Sequence, residues 1–146
     1  MEFKNEKQLK NFLLGKCKNA LIKSQEQVYQ IINRFVKEFY AEFTPEQYER
    51  TRQLYQSLVK SDIVPTKNGY KAYVYFDLSS IDYVTGSKPT GEQVMQAAEW
   101  GRHGAMGLAV ADFKGTSIWH EPIEILNAEA INILKRMLIS EGIPIK

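Results

Sequence analysis

Residues 58–77 read LVKSDIVPTKNGYKAYVYFD, and their reading decides the fold class. Leu58, Val59, Ile63 and Val64 form an apolar run of strand character. Lys67-Asn68-Gly69 then supplies a turn, because Asn-Gly readily takes the positive φ angles that a tight hairpin needs. In the returning segment, Tyr70, Ala72, Val74 and Phe76 share one face. Lys71, Tyr73, Tyr75 and Asp77 share the other, as the period of two requires. Tyrosines on the second face predict that something covers it in part, another strand or a partner.

Outward from the hairpin the period changes. Upstream, Leu9, Phe12, Leu13, Cys17, Ala20, Leu21, Val28, Ile31, Ile32, Phe35, Val36 and Phe39 recur at spacings of three and four. That is one apolar stripe on a long helix from about residue 6 to 43, with lysines, Glu26, Gln27 and Asn33 mostly off it. Gly15 marks a candidate kink, and Ser24 reads as a small residue at a close helix crossing. Thr44-Pro45-Glu46-Gln47 is a helix start with a capping box, predicting a short helix to about Tyr55. Downstream, Ser117-Ile118-Trp119 is a candidate third strand and Pro122 an interruption of its ladder. Asn127 is expected to cap a last helix to about Ser140, with Ala130, Ile131, Leu134, Met137 and Leu138 buried and Gly142 ending it.

Between the hairpin and that helix lies a looser stretch, about residues 84–116. It holds six of the nine glycines: Gly86, Gly91, Gly101, Gly104, Gly107 and Gly115. A short helix at 92–100 is expected within a long, mobile loop. The fold class is therefore α+β: long N- and C-terminal helices packed on a small antiparallel sheet, with a glycine-rich loop, in one domain over residues 1–146.

Composition narrows function chiefly by exclusion. The 146 residues are 44% apolar and 25% charged, with a formal net charge of +2, so neither disorder nor a strongly acidic surface is indicated. The single cysteine rules out an internal disulfide and fits a reducing compartment. Residues 1–10 lack the apolar core of a signal peptide, and no run of about 18 apolar residues is present to span a bilayer. Cytoplasmic synthesis and no membrane contact are expected. His103 and His120 find no third ligand at zinc spacing, and Cys17 on the stripe is expected to be a buried, inert thiol. Neither a nucleophile elbow nor a phosphate loop occurs. No catalytic residue, metal or cofactor is expected. Gly101-Arg102-His103-Gly104 could cradle an anion, though an exposed loop explains it more simply. Glu121 and Glu124 sit just before the last helix, where complementing its positive end explains them more simply than acid–base work.

Two surfaces remain as candidates. Lys4, Lys7, Lys10, Lys16, Lys18 and Lys23 against Glu2 and Glu6 give 6 − 2 = +4 over residues 1–24. They form either a solvated helix face or a basic face toward DNA phosphate or an acidic partner. Tyr73, Tyr75, Tyr83, Trp100, Arg102 and His103 are the candidate interface, since aromatic side chains on exposed or glycine-rich segments suit partner anchors.

Pro45, Tyr48, Arg50, Thr51, Leu54, Ser57 and Leu58 give the string P-x-x-Y-x-R-T-x-x-L-x-x-S-L between the long helix and the hairpin. Gly115-Thr116 and Ile118-Trp119-His120-Glu121-Pro122 follow before the terminal helix. Most of the chain thereby resembles the neck and tail-completion proteins of long-tailed bacteriophages, although Arg52 stands where that family often has glycine. The resemblance implies a non-enzymatic virion protein that joins head to tail as a ring of identical copies. Its partners would be itself, other neck and tail proteins, and non-specifically the DNA in the channel. It would pass from host cytoplasm into the virion. A ring needs two different surfaces per subunit; the glycine-rich segment and the Tyr73–Tyr75 face are the candidates. Two other readings stay open. One is a small phage-encoded inhibitor of a host defence protein. The other is an unfamiliar enzyme using Arg102, His103 or His120.

Overall fold

The computed structural model describes residues 2–42, 56–80, 101–102, 113–114 and 118–145. Helix α1 runs unbroken from Glu6–Glu42. At 37 residues it is about 55 Å long at 1.5 Å per residue. It starts on a reciprocal cap. Asn5 Oδ1 accepts from Gln8 N–H at 2.9 Å, and Gln8 Oε1 accepts from Lys4 N–H at 2.9 Å. Phe3 folds back on Phe12, with ring centroids 5.2 Å apart. Gly15 produces no break; it lies in open helix surface.

The hairpin follows as β1 (Leu58–Lys60), β2 (Val64–Thr66), β3 (Gly69–Lys71) and β4 (Val74–Phe76). The outer ladder pairs Leu58↔Phe76 and Lys60↔Val74; the inner pairs Val64↔Lys71 and Thr66↔Gly69. Both are antiparallel, but three residues, Ser61 to Ile63, oppose two, Ala72 and Tyr73. One extra residue shifts the register, which is the signature of a bulge. The alternation misses this because Ser61 and Asp62 look like ordinary polar positions. Ser61 repairs the break. Its N–H donates to Tyr73 O at 2.9 Å, and its Oγ accepts from Tyr73 N–H at 2.8 Å. A short 3₁₀ turn, Leu78–Ser80, ends the unit.

In the glycine-rich stretch, β5 (Gly101–Arg102) pairs antiparallel with β6 (Phe113–Lys114), so part of the expected loop is a ladder. The expected helices at 44–55 and 92–100 lie outside the described residues.

Helix α2 is His120–Ser140. It begins seven residues before Asn127, and Ile118 and Trp119 bend into it without forming a strand. Pro122 sits in the first turn, where its missing N–H would have no helical acceptor anyway, so it opens the helix and interrupts no ladder. The buried face is Pro122, Leu126 and Ile133, with the expected Met137 and Leu138 half-buried. Ile131, expected inside, is 70% exposed, and Ala130 and Leu134 are also exposed. The C-terminus closes as anticipated on Gly142, at φ 86°. Gly142 N–H donates to Ile139 O and Ile143 N–H to Leu138 O, a Schellman pair.

The α+β architecture is thus built around α1, which packs on both α2 and the hairpin. Ile32, Leu58, Leu126 and Ile133 meet where the three elements converge, ringed by Val28, Tyr29, Ile31, Val74, Phe76 and Trp119. The Trp119 ring meets Phe76 edge-on at 5.8 Å. Ser24 is buried and bonds Ala20 O at 2.8 Å, so its hydroxyl is satisfied within its own helix beside the fully buried Ala20. Asn33 departs from expectation: it is buried, and its Oδ1 has no hydrogen-bond partner among the described residues. Its neighbours Ile32, Phe35 and Val36 are buried too, so α1 is covered over a broad arc there.

Candidate assembly surfaces

The hairpin is fastened to α1 by polar side chains. Gln25 Nε2 donates to both Ser61 O at 2.9 Å and Tyr73 O at 3.0 Å, the carbonyls flanking the bulge. Glu26 receives Lys60 Nζ, which also lies 5.1 Å from the Tyr29 ring centroid. The Lys60 hydrogen bond, then that of Gln30, holds the Glu26 carboxyl below its ordinary value. With the inward residues held on α1, the opposite face of the returning segment, residues 71–75, is turned to water. Tyr73 and Tyr75 are 54% and 46% exposed, and Lys71 approaches the Tyr73 ring at 5.9 Å.

The six lysines of the N-terminal segment do not act as one face. Lys23 pairs with Glu141 at 2.6 Å and Lys16 approaches it at 3.9 Å, tying the end of α2 to α1. Asn19 and Ser140 add further bonds at the same place. The Lys23 hydrogen bond is the main reason that the Glu141 carboxyl titrates below its ordinary value. Lys18 lies over the Tyr70 ring of the hairpin, 5.6 Å from its centroid. Lys4, Lys7 and Lys10 are exposed.

The N-terminal part of the apolar stripe is uncovered, which periodicity alone does not reveal. Leu9, Phe12 and Leu13 are 40%, 40% and 41% exposed, and a shallow groove is lined by Glu6, Leu9, Lys10, Leu13, Leu14 and Cys17. Cys17, expected to be buried, is an exposed free thiol. The cause is length: α2 reaches α1 only as far as the Lys16–Lys23 level, and the stripe runs on beyond it. A second uncovered apolar set lies on α2, where Ile131, Leu134 and Ile139 face away from the core.

Arg102 lies in β5. Tyr83, Trp100 and His103 are outside the described residues. No group of three or more His, Cys, Asp or Glu side chains able to hold a metal occurs among the described residues. No helix among them is long and apolar enough to cross a membrane.

The described residues thus form an α+β arrangement that leaves apolar side chains of both long helices and two hairpin tyrosines exposed. Residues 5–140 match the YomN family model, and the chain belongs to the YomN family, which is phage-associated. No curated protein and no solved structure matches it.

Proposed function

We propose that this phage protein is a non-enzymatic virion component of the neck or tail-completion class, acting in head–tail joining by assembling into a ring. The observation that carries the reading is the amount of large apolar surface left in water on both long helices. Leu9, Phe12 and Leu13 on α1 and Ile131 and Ile139 on α2 are exposed, and contiguous apolar exposure of this kind marks sites of protein association. The phage-associated family supports it, as does the resemblance carried by Pro45, Tyr48, Arg50 and Thr51. In this role the partners are further copies and neighbouring neck or tail proteins. The exposed Lys4, Lys7 and Lys10 add a non-specific attraction to channel DNA. The protein moves from host cytoplasm into the virion.

A second reading is a small inhibitor that binds a host defence protein. The paired Tyr73 and Tyr75 favour it, because exposed aromatic side chains fit a pocketed partner. Mass spectrometry of purified virions separates the two. The ring role predicts the chain in the particle at a fixed, small copy number set by ring closure. Absence from virions, with abundant protein in infected cells, overturns it in favour of the inhibitor.

A further inference from the structure

We infer that the uncovered N-terminal end of α1 pairs with the same segment of a second copy of the chain, the two helices running antiparallel about a two-fold axis near Gln8. Leu9 and Leu13 mark the centre of the exposed face, since at about 100° per residue they lie only about 40° apart. The two flanks of that centre differ. Phe12 falls about 80° to one side, and Phe3 stacks on it, so this flank is aromatic and exposed. Glu6 and Lys10 fall about 40° and 80° to the other side, so that flank is ionic. Lys7 lies about 140° from the centre, and Lys4 is bonded to Gln8, about 120° from it. Both lysines are exposed and stay outside the contact. The face ends where α2 covers it: Ala20 and Ser24 continue it and are buried, and Glu141 already holds Lys16 and Lys23.

This layout matches itself in one orientation. A parallel pair sets both α2 helices on the facing sides at one level, where they collide, and lays the aromatic flank of each copy on the ionic flank of the other. An antiparallel pair brings like flanks together and puts each exposed segment in the length that the other copy's α2 leaves free. With the axis near Gln8, the second chain begins opposite Gly15, short of the Lys16 level where Glu141 sits. Leu9 then lies beside the second copy's Leu9, and the Phe3–Phe12 pair beside its counterpart. On the other flank Glu6 faces the second copy's Lys10, and Lys10 its Glu6, giving two reciprocal ion pairs. Charge and sterics fix the register together. Moving the axis to Lys10 sets the two Lys10 side chains against each other and drives the second N-terminus into the end of α2. A contact of this symmetry closes at two copies. It goes beyond the ring reading and does not depend on it.

The test is sedimentation velocity on the full chain over about 1–500 μM at low salt, joined to cysteine cross-linking. Wild type should dimerise. Leu9→Asp should weaken that at least about tenfold, since a carboxylate is placed in a desolvated contact. Glu6→Lys and Lys10→Glu should each weaken it about threefold or more, because each turns two attractions into repulsions. Both changes in one chain should return it to within about twofold of wild type, and so should an equal mixture of the two single variants. The mixture excludes an effect of Glu6 and Lys10 on their own helix, which mixing does not restore. In a Cys17→Ser chain, Leu9→Cys should form a disulfide between copies under mild oxidation and Leu13→Cys should not. The two Leu9 positions lie about 3 Å apart along the axis and the two Leu13 positions about 15 Å. Every substituted position is exposed, so circular dichroism should show the wild-type fold. A wild type that stays monomeric, association untouched by Leu9→Asp, a mixture that does not pair, or Leu13→Cys linking as fast as Leu9→Cys each overturns the proposal. The virion experiment is separate: absence from particles leaves this contact standing, and a monomeric wild type removes it whatever the particle contains.

Discussion

The two halves of α1 have the same sequence texture and opposite fates. From Ala20 to Val36 the helix is covered by α2 and the hairpin, and Ala20, Ile32 and Val36 are at most 1% exposed. From Glu6 to Cys17 the same three–four spacing continues, yet Leu9, Phe12 and Leu13 stand in water. Helical periodicity records which residues need a partner. It carries no information on where that partner ends. Where the stripe outruns α2 and the hairpin, its apolar side chains are left in water.

Core truncation probes the contrast most strongly. Ile32→Ala should destabilise the chain by about 3 kcal/mol, as expected for a buried isoleucine whose cavity cannot collapse. Leu13→Ala in the monomer should change stability by less than about 0.5 kcal/mol. Urea titration monitored by circular dichroism would measure both. Equal losses would show that the N-terminal stripe is packed in the monomer, and the comparison would fail.

Gln25→Ala comes next. Among the described residues, Gln25 is what joins α1 to the carbonyls of Ser61 and Tyr73 across the bulge. Losing both bonds should destabilise the hairpin by about 1–2 kcal/mol. Hydrogen exchange should show the loss first at Ser61 N–H and Tyr73 N–H, both bonded across the bulge. Unchanged protection there would mean that the hairpin holds α1 by apolar contact alone.

These two experiments also mark what the sequence could and could not disclose. The Asn68-Gly69 turn, the alternation in β4 and the glycine stop at Gly142 are local, and each was readable from a few residues. The bulge was not, because Ser61 and Asp62 fit a polar strand position as well as an inserted one. The buried face of α2 is only partly legible, because Ile123, Ile125, Leu126, Ile131, Ile133, Leu134, Met137 and Leu138 spread around much of the helix. Apolar residues spread this widely leave no single face for a period to find. Pro122 misled in the same way, since one residue type both ends ladders and opens helices. The basic segment was visible as composition, but its division between Glu141, Tyr70 and solvent depends on which elements α1 packs against.

Gly15→Ala is the next smaller effect and sharpens the comparison within the uncovered half. A Cβ at this position meets nothing within 4 Å, so alanine should gain about 1 kcal/mol of helix propensity. If residues 6–17 fray independently of the core, the gain should appear as amide protection in that segment with little change in the global melting temperature. A matching rise in global stability would show that both halves unfold as one unit.

Acidification gives the smallest effect, and it acts at the border between the halves. Glu141 has its folded pKa lowered from 4.5, first by the Lys23 hydrogen bond. Glu26 is lowered from the same value, first by Lys60 and then by Gln30. A carboxyl depressed on folding contributes its stability in full above 4.5 and loses it as pH falls through the lowered folded value. Both pairs are at the surface, so the contribution is modest and salt-sensitive. Thermal melting should therefore be flat above 4.5 and decline below it, and Lys23→Ala should reduce that decline. Losing the Glu141 pairing releases the end of α2 from Lys16 and Lys23, which lengthens the uncovered stripe toward Ala20. The covered half would then prove to be held at its edge by charge, and only deeper in, at Ile32 and Ile133, by packing that pH does not reach.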